Sequence, residues 1–128
     1  MKKTVFMDRY PVYSLELLKS EMRVSTIKEI VEYFKEKIKN HPIATFIAVF
    51  DHYSHTKALN GQIVEGLLDA QNVIFCFGQA IPSTKILAVR PRSIGICEFE
   101  DRFIIDFMEP PREELYAVMQ EWVKGLLK

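Results

Sequence analysis

The sequence has no surplus charge of either sign: 17 Lys and Arg stand against 17 Asp and Glu over 128 residues. A nucleic-acid binder must neutralise phosphates and carries a basic excess, so the balance argues against nucleic acid as a partner. Cysteine is scarce. Cys76 and Cys97 are the only two and form no C-x-x-C pair; without a secretion signal they read as reduced, buried thiols. No apolar run approaches the ~20 residues of a membrane span. The first eight residues, with Lys2 and Lys3, lack the apolar stretch of a signal peptide. A cytoplasmic location with no membrane partner is therefore the expectation. Walker spacing, G-x-S-x-G, H-E-x-x-H and the dinucleotide fingerprint are all missing, so no familiar catalytic signature assigns a reaction. Repeats, linkers and low-complexity tracts are absent too.

What is there suits one α+β domain over residues 1–128. A 48% hydrophobic content, with nine Phe, five Tyr and one Trp, fills a core without disulfide or metal staples. Pro11 to Leu18 reads as a first strand. Thr26 and Glu29 make a capping box, after which Ile27, Ile30, Val31, Phe34 and Ile38 recur at helical spacing. Asn40-His41-Pro42 ends that helix. Ile43 to Phe50, Val73 to Phe77, Ile86 to Val89, Ser93 to Phe99 and Arg102 to Met108 read as strands. In between, Asn60-Gly61 signals a turn, and Ile63, Val64, Leu67 and Leu68 suit a short helix. Glu100-Asp101 makes a two-residue hairpin turn. Pro110-Pro111 opens a last helix, with Glu113 and Glu114 at its positive end and a stripe of Leu115, Val118, Met119, Trp122, Val123 and Leu126.

Short connections between successive strands favour an antiparallel sheet with helices on one face. The strands do not alternate apolar with polar residues, as strands with one wet face should. Ile43, Ile47 and Val49 oppose Ala44, Phe46, Ala48 and Phe50; Val73, Phe75 and Phe77 oppose Ile74 and Cys76; Ile94 and Ile96 oppose Cys97 and Phe99. Two helices cover one face, and self-association, most simply a homodimer, covers the other. A more curled sheet hiding its own inner face is the plainer possibility.

Four motifs in order carry a family resemblance. Phe50-Asp51-His52 matches an I-D-H motif; Phe77-Gly78 with Thr84 six residues on matches F-G-N-P-x-x-G-T; Pro91 and Glu98 keep the spacing of P-L-x-V-L-V-x-E; Phe107-Met108-Glu109-Pro110 matches a strand ending in proline. The segment from Phe46 to Pro110 thus resembles the bacterial domain of unknown function family 302. Ala80, Ser83 and Arg92 stand where that family has Pro, Gly and Leu. The resemblance implies a β-α-β(4)-α layout similar to the TATA-binding-protein fold, usually dimeric, and no particular reaction.

Candidate chemistry centres on Asp51, His52 and His55, where an apolar strand gives way to a loop. A carboxylate beside an imidazole serves both general bases and metal ligands. His52 and His55 would face one metal on a helical turn and point apart on a strand; His41, Cys76 or Glu98 would have to supply a third ligand. The plainer reading has Asp51 capping the following turn. Glu98 is either ion-paired, with Arg90, Arg92 or Arg102 available, or part of a site. Arg90 and Arg92 flank Pro91 and could grip a carboxylate or phosphate, or lie exposed on an edge strand. Cys76 reads as buried rather than nucleophilic. The expectation is a small site at Asp51, His52, Thr84 and Glu98, in a non-catalytic homodimeric module for a small molecule or metal of unknown identity. The alternatives are a small enzyme with His52 as acid–base oriented by Asp51, and a structural homo-oligomer without ligand.

Overall fold

A computed structural model describes residues 1–128. Its centre is one six-stranded antiparallel sheet in the order β1-β2-β6-β5-β4-β3. The strands are β1 (Lys2–Phe6), β2 (Tyr10–Leu18), β3 (Ala44–Phe50), β4 (Asp69–Phe77), β5 (Arg92–Glu98) and β6 (Arg102–Met108). The helices are α1 (Ile27–Lys39), α2 (His52–Ala58), α3 (Ile86–Val89) and α4 (Glu113–Lys124).

Local chemistry sets the two long helices. Thr26 Oγ1 accepts the Glu29 N–H at 3.1 Å, and the Glu29 carboxylate accepts the Thr26 hydroxyl at 3.0 Å, so the predicted cap of α1 forms. The helix then buries Ile30, Val31, Phe34 and Ile38. α4 buries Met119, Trp122 and Val123, with Glu113 and Glu114 in its first turn. The Tyr33 hydroxyl donates to the Trp122 carbonyl at 2.6 Å and ties the helices together. Both pack on one sheet face: Trp122 stacks on Phe77 of β4 and Tyr116 on Tyr13 of β2, with ring centroids 5.5 and 4.0 Å apart. That face supplies the buried Leu17, Val73, Phe75, Phe77, Ile94, Ile96, Phe103, Ile105 and Phe107. The β5–β6 hairpin closes over Glu100-Asp101, with the Phe99 N–H on the Arg102 carbonyl at 2.9 Å.

Four expectations change. Ile86 to Val89 is a one-turn helix, not a strand; its first turn is held by the Ser83 carbonyl, which accepts the Ile86 N–H at 3.2 Å. The helix between β3 and β4 is His52–Ala58, while Ile63 to Leu68 has no helix, because Asp51 starts the turn earlier than the apolar residues do. An additional strand, β1, precedes the first one read from sequence and reaches it through Met7 and Asp8, both with positive φ. A register shift between Phe46 and Ala48 sets Val49 opposite the buried Val73, on the face of Ala44 and Phe46.

The second sheet face is partly covered by the chain itself. α2 and residues of the 59–68 segment, Ile63, Val64 and Leu67, lie against Ala70 and Cys97. The rest, over β1, β2 and β6, is open.

Candidate functional site

A row of paired residues crosses the open face, polar on β1, β2, β6 and β4. Cross-strand pairing sets Phe50 opposite Asn72, Asn72 opposite Gly95, Gly95 opposite Asp106, Asp106 opposite Ser14, and Ser14 opposite Lys2. The α2 residues join its β3 end. His52 Nδ1 lies 2.9 Å from Asn72 Oδ1, and Asn72 Nδ2 donates to Ser93 Oγ at 3.0 Å. An amide oxygen only accepts, so Nδ1 is the donor in this contact.

Asp51 does not orient that ring. Its Oδ1 accepts the Ser54 N–H at 3.0 Å and its Oδ2 the Ser54 hydroxyl at 2.9 Å, which makes it the N-cap of α2. The Ser54 amide, then its hydroxyl, hold the Asp51 carboxyl below its usual range. His52 and His55, three apart on α2, both stand beside Phe50, with their ring centroids 6.3 Å from each other. No group of three His, Cys, Asp or Glu side chains gathers to hold a metal.

Thr84 and Glu98 lie elsewhere. Thr84 is exposed in the segment after β4, where its carbonyl accepts the Leu87 N–H at 3.2 Å. Glu98 pairs with Asp69 at the other end of β4. At ~3.3 Å per residue the two ends of that strand are about 26 Å apart. Glu98 also shares the helix-covered face of Ile94 and Ile96, whereas Asn72 and His52 belong to the open one. The Glu98 carboxylate is ion-paired as expected of a structural group, but to Lys19 at 2.7 Å rather than to an arginine. The four residues expected to share one site therefore divide: Asp51 and His52 adjoin on α2, and the other two are separate.

One feature went unread in the sequence, and another was read without its setting. Asp106 interrupts the apolar run of β6 and is half-buried on the open face, accepting a hydrogen bond from the Ser14 hydroxyl. Burial pushes its carboxyl up, with Ser14 partly offsetting; burial, then the charges of Asp106 and Asp69, push the nearby Cys97 thiol up. A charged residue inside Phe103 to Met108 was the available signal. The second is the setting of Arg90 and Arg92. They line one small cavity with Gly78, which has φ of 96°. Arg90 Nη1 donates to the Ala80 carbonyl at 2.8 Å and Arg92 Nη2 to the Met108 carbonyl.

No helix is long and apolar enough to cross a membrane. No curated protein matches the chain, and neither does any solved structure. One family model covers it from end to end, residues 1–128, and by that match the chain belongs to the Family of unknown function (DUF6858).

Proposed function

We propose that this protein is a non-catalytic binding module of the cytoplasm that acts as a homodimer, joined through the open face of its sheet. The observation carrying the reading is the apolar surface at the β1–β2–β6 end of that face. Phe6 pairs with Tyr10, and Val12 with Met108; Phe6, Tyr10 and Met108 are 60%, 42% and 47% exposed. Strand spacings of ~4.8 Å and ~3.3 Å per residue give the open β1–β2–β6 part on the order of 300 Å², about half of one side of the smallest standard interfaces, so the dimer would be a weak one.

Other features fit. The groups with catalytic potential are engaged structurally: Asp51 by Ser54, Glu98 by Lys19 and His52 by Asn72. The element order β2-α1-β3-β4-β5-β6-α4, with β1, α2 and α3 added, supports a β-α-β(4)-α reading of the fold. Two free cysteines on different strands suit a reducing compartment.

Light scattering across a wide concentration range tests the dimer. The expected mass is twice the 14.9 kDa of one chain, falling to one chain in a Phe6→Asp, Met108→Asp double variant that keeps its circular dichroism. A monomer at all concentrations, or a dimer indifferent to the two substitutions, would overturn the reading.

A further inference from the structure

Between the end of β4 and the start of α4 lies a cavity of about 60 Å³ whose wall holds three arginines and no acidic residue; Arg90, Arg92 and Arg112 stand beside Gly78, Val89 and Leu115. A guanidinium taken out of water is normally paired, because an uncompensated charge is costly there. Arg112, largely exposed, still pairs with Glu114, whose Oε1 is 2.6 Å from Nη2 and 3.0 Å from Nε. Arg90 and Arg92 do not. Neither belongs to any ion pair in the molecule. Each gives one N–H to a backbone carbonyl, and Arg92 Nε is buried with no acceptor at all. Burial, unopposed by any acid, lowers the Arg92 pKa.

The backbone is shaped around this pair. Gly78 has φ of 96°, and a Cβ there would collide with Arg90 Nη2, so glycine lets the guanidinium lie against the chain at the cavity wall. The rest of the lining is largely apolar.

We infer that this cavity is a ligand site and takes the carboxylate of a small organic acid with a short apolar tail. The inference rests on the binding-module reading and gives it a ligand class. A planar carboxylate offers two oxygens to the guanidinium donors left without partners. At about 60 Å³ the cavity is several times the ~10–15 Å³ that one water needs on the same measure, room for a carboxylate and a short apolar tail. A doubly charged phosphate is costlier to desolvate against a partly apolar wall than a singly charged carboxylate.

The test is an NMR titration of amide- and methyl-labelled full chain with sodium butyrate, then with sodium phosphate, with light scattering on the same samples. Saturable shifts are expected at Gly78, Val89 and Leu115. Arg90→Gln, which keeps a donor for the Ala80 carbonyl, and Arg92→Lys, which keeps the charge but loses the fork, should each weaken binding about tenfold or more. The wild-type shifts locate the site even if a variant fails to fold. No saturable shift with any straight-chain acid from acetate to hexanoate, shifts elsewhere, unchanged affinity in both folded variants, or phosphate binding tighter than butyrate would each overturn the inference. A dimer that binds no butyrate sinks this inference alone, and a monomer that binds it sinks the homodimer alone.

Discussion

Asp106 is the residue whose surroundings conflict most with its chemistry. Its carboxyl is half-buried on an apolar strand, and burial raises its pKa in the folded state. The folded chain therefore holds a proton there over a range, starting near the ordinary ~3.9, in which the unfolded chain has released it. Stability falls as pH rises through that window and stays at the lower level above it. Asp106→Asn removes the charge and keeps an acceptor for the Ser14 hydroxyl. The variant should melt higher than wild type at pH 7, with the gap closing below the ordinary carboxylate range. Thermal scans across pH check this, and an unchanged or lower melting temperature at pH 7 would refute it. Asp51 has a backbone amide and a hydroxyl and Glu98 an ammonium, where Asp106 has only the Ser14 hydroxyl. The role of Asp51 as a cap was legible because Ser54 is three residues away, whereas Glu98 finds Lys19 across 79 positions of sequence, a distance no local pattern reveals.

Among the elements, α1 shows how far local chemistry reaches. Its cap, its apolar spacing and its stop are all local, and the helix lies where they place it. Thr26→Ala removes the acceptor for the Glu29 amide and should cost about 1 kcal/mol in denaturant unfolding. The Glu29 carboxyl, held below its usual range chiefly by the Thr26 hydroxyl and then the Ser25 amide, makes part of that stability pH-dependent. With a depressed folded pKa, the contribution is present above the ordinary Glu value and fades as pH falls through the folded one. Equal unfolding midpoints for variant and wild type at pH 7 would show that the cap is idle. β3 to β6 and α4 were legible for similar reasons. Ile86 to Val89 was not, because four apolar residues suit a strand or one helical turn equally, and the Ser83 contacts decide. β1 was hidden because Lys2 to Phe6 is short and pairs only with β2 at the edge of the sheet. The bulge in β3 left no mark in Phe46 to Ala48, so the faces of Val49 and Ala48 were exchanged.

At the scale of the whole molecule, the sheet guards its edges and leaves a face open. The β1 edge carries Lys2 and Lys3, with Lys3 paired to Glu109 at 2.7 Å; the β3 edge is kinked by its register shift. Charged and bulged edges discourage strand addition, which directs association to the face. A face-to-face dimer would bury Asp106 further and raise its pKa again, so association should weaken as pH rises through that window; sedimentation at pH 5 and pH 8 reads it, and a pH-independent constant would separate Asp106 from the interface. One internal contact has a practical side. Trp122, the only tryptophan of the chain, stacks on Phe77, and Phe77 also lines the arginine cavity. The protein thus carries a native optical probe next to its proposed ligand. Indole emission should respond to butyrate without any label, and the response should vanish in Trp122→Phe.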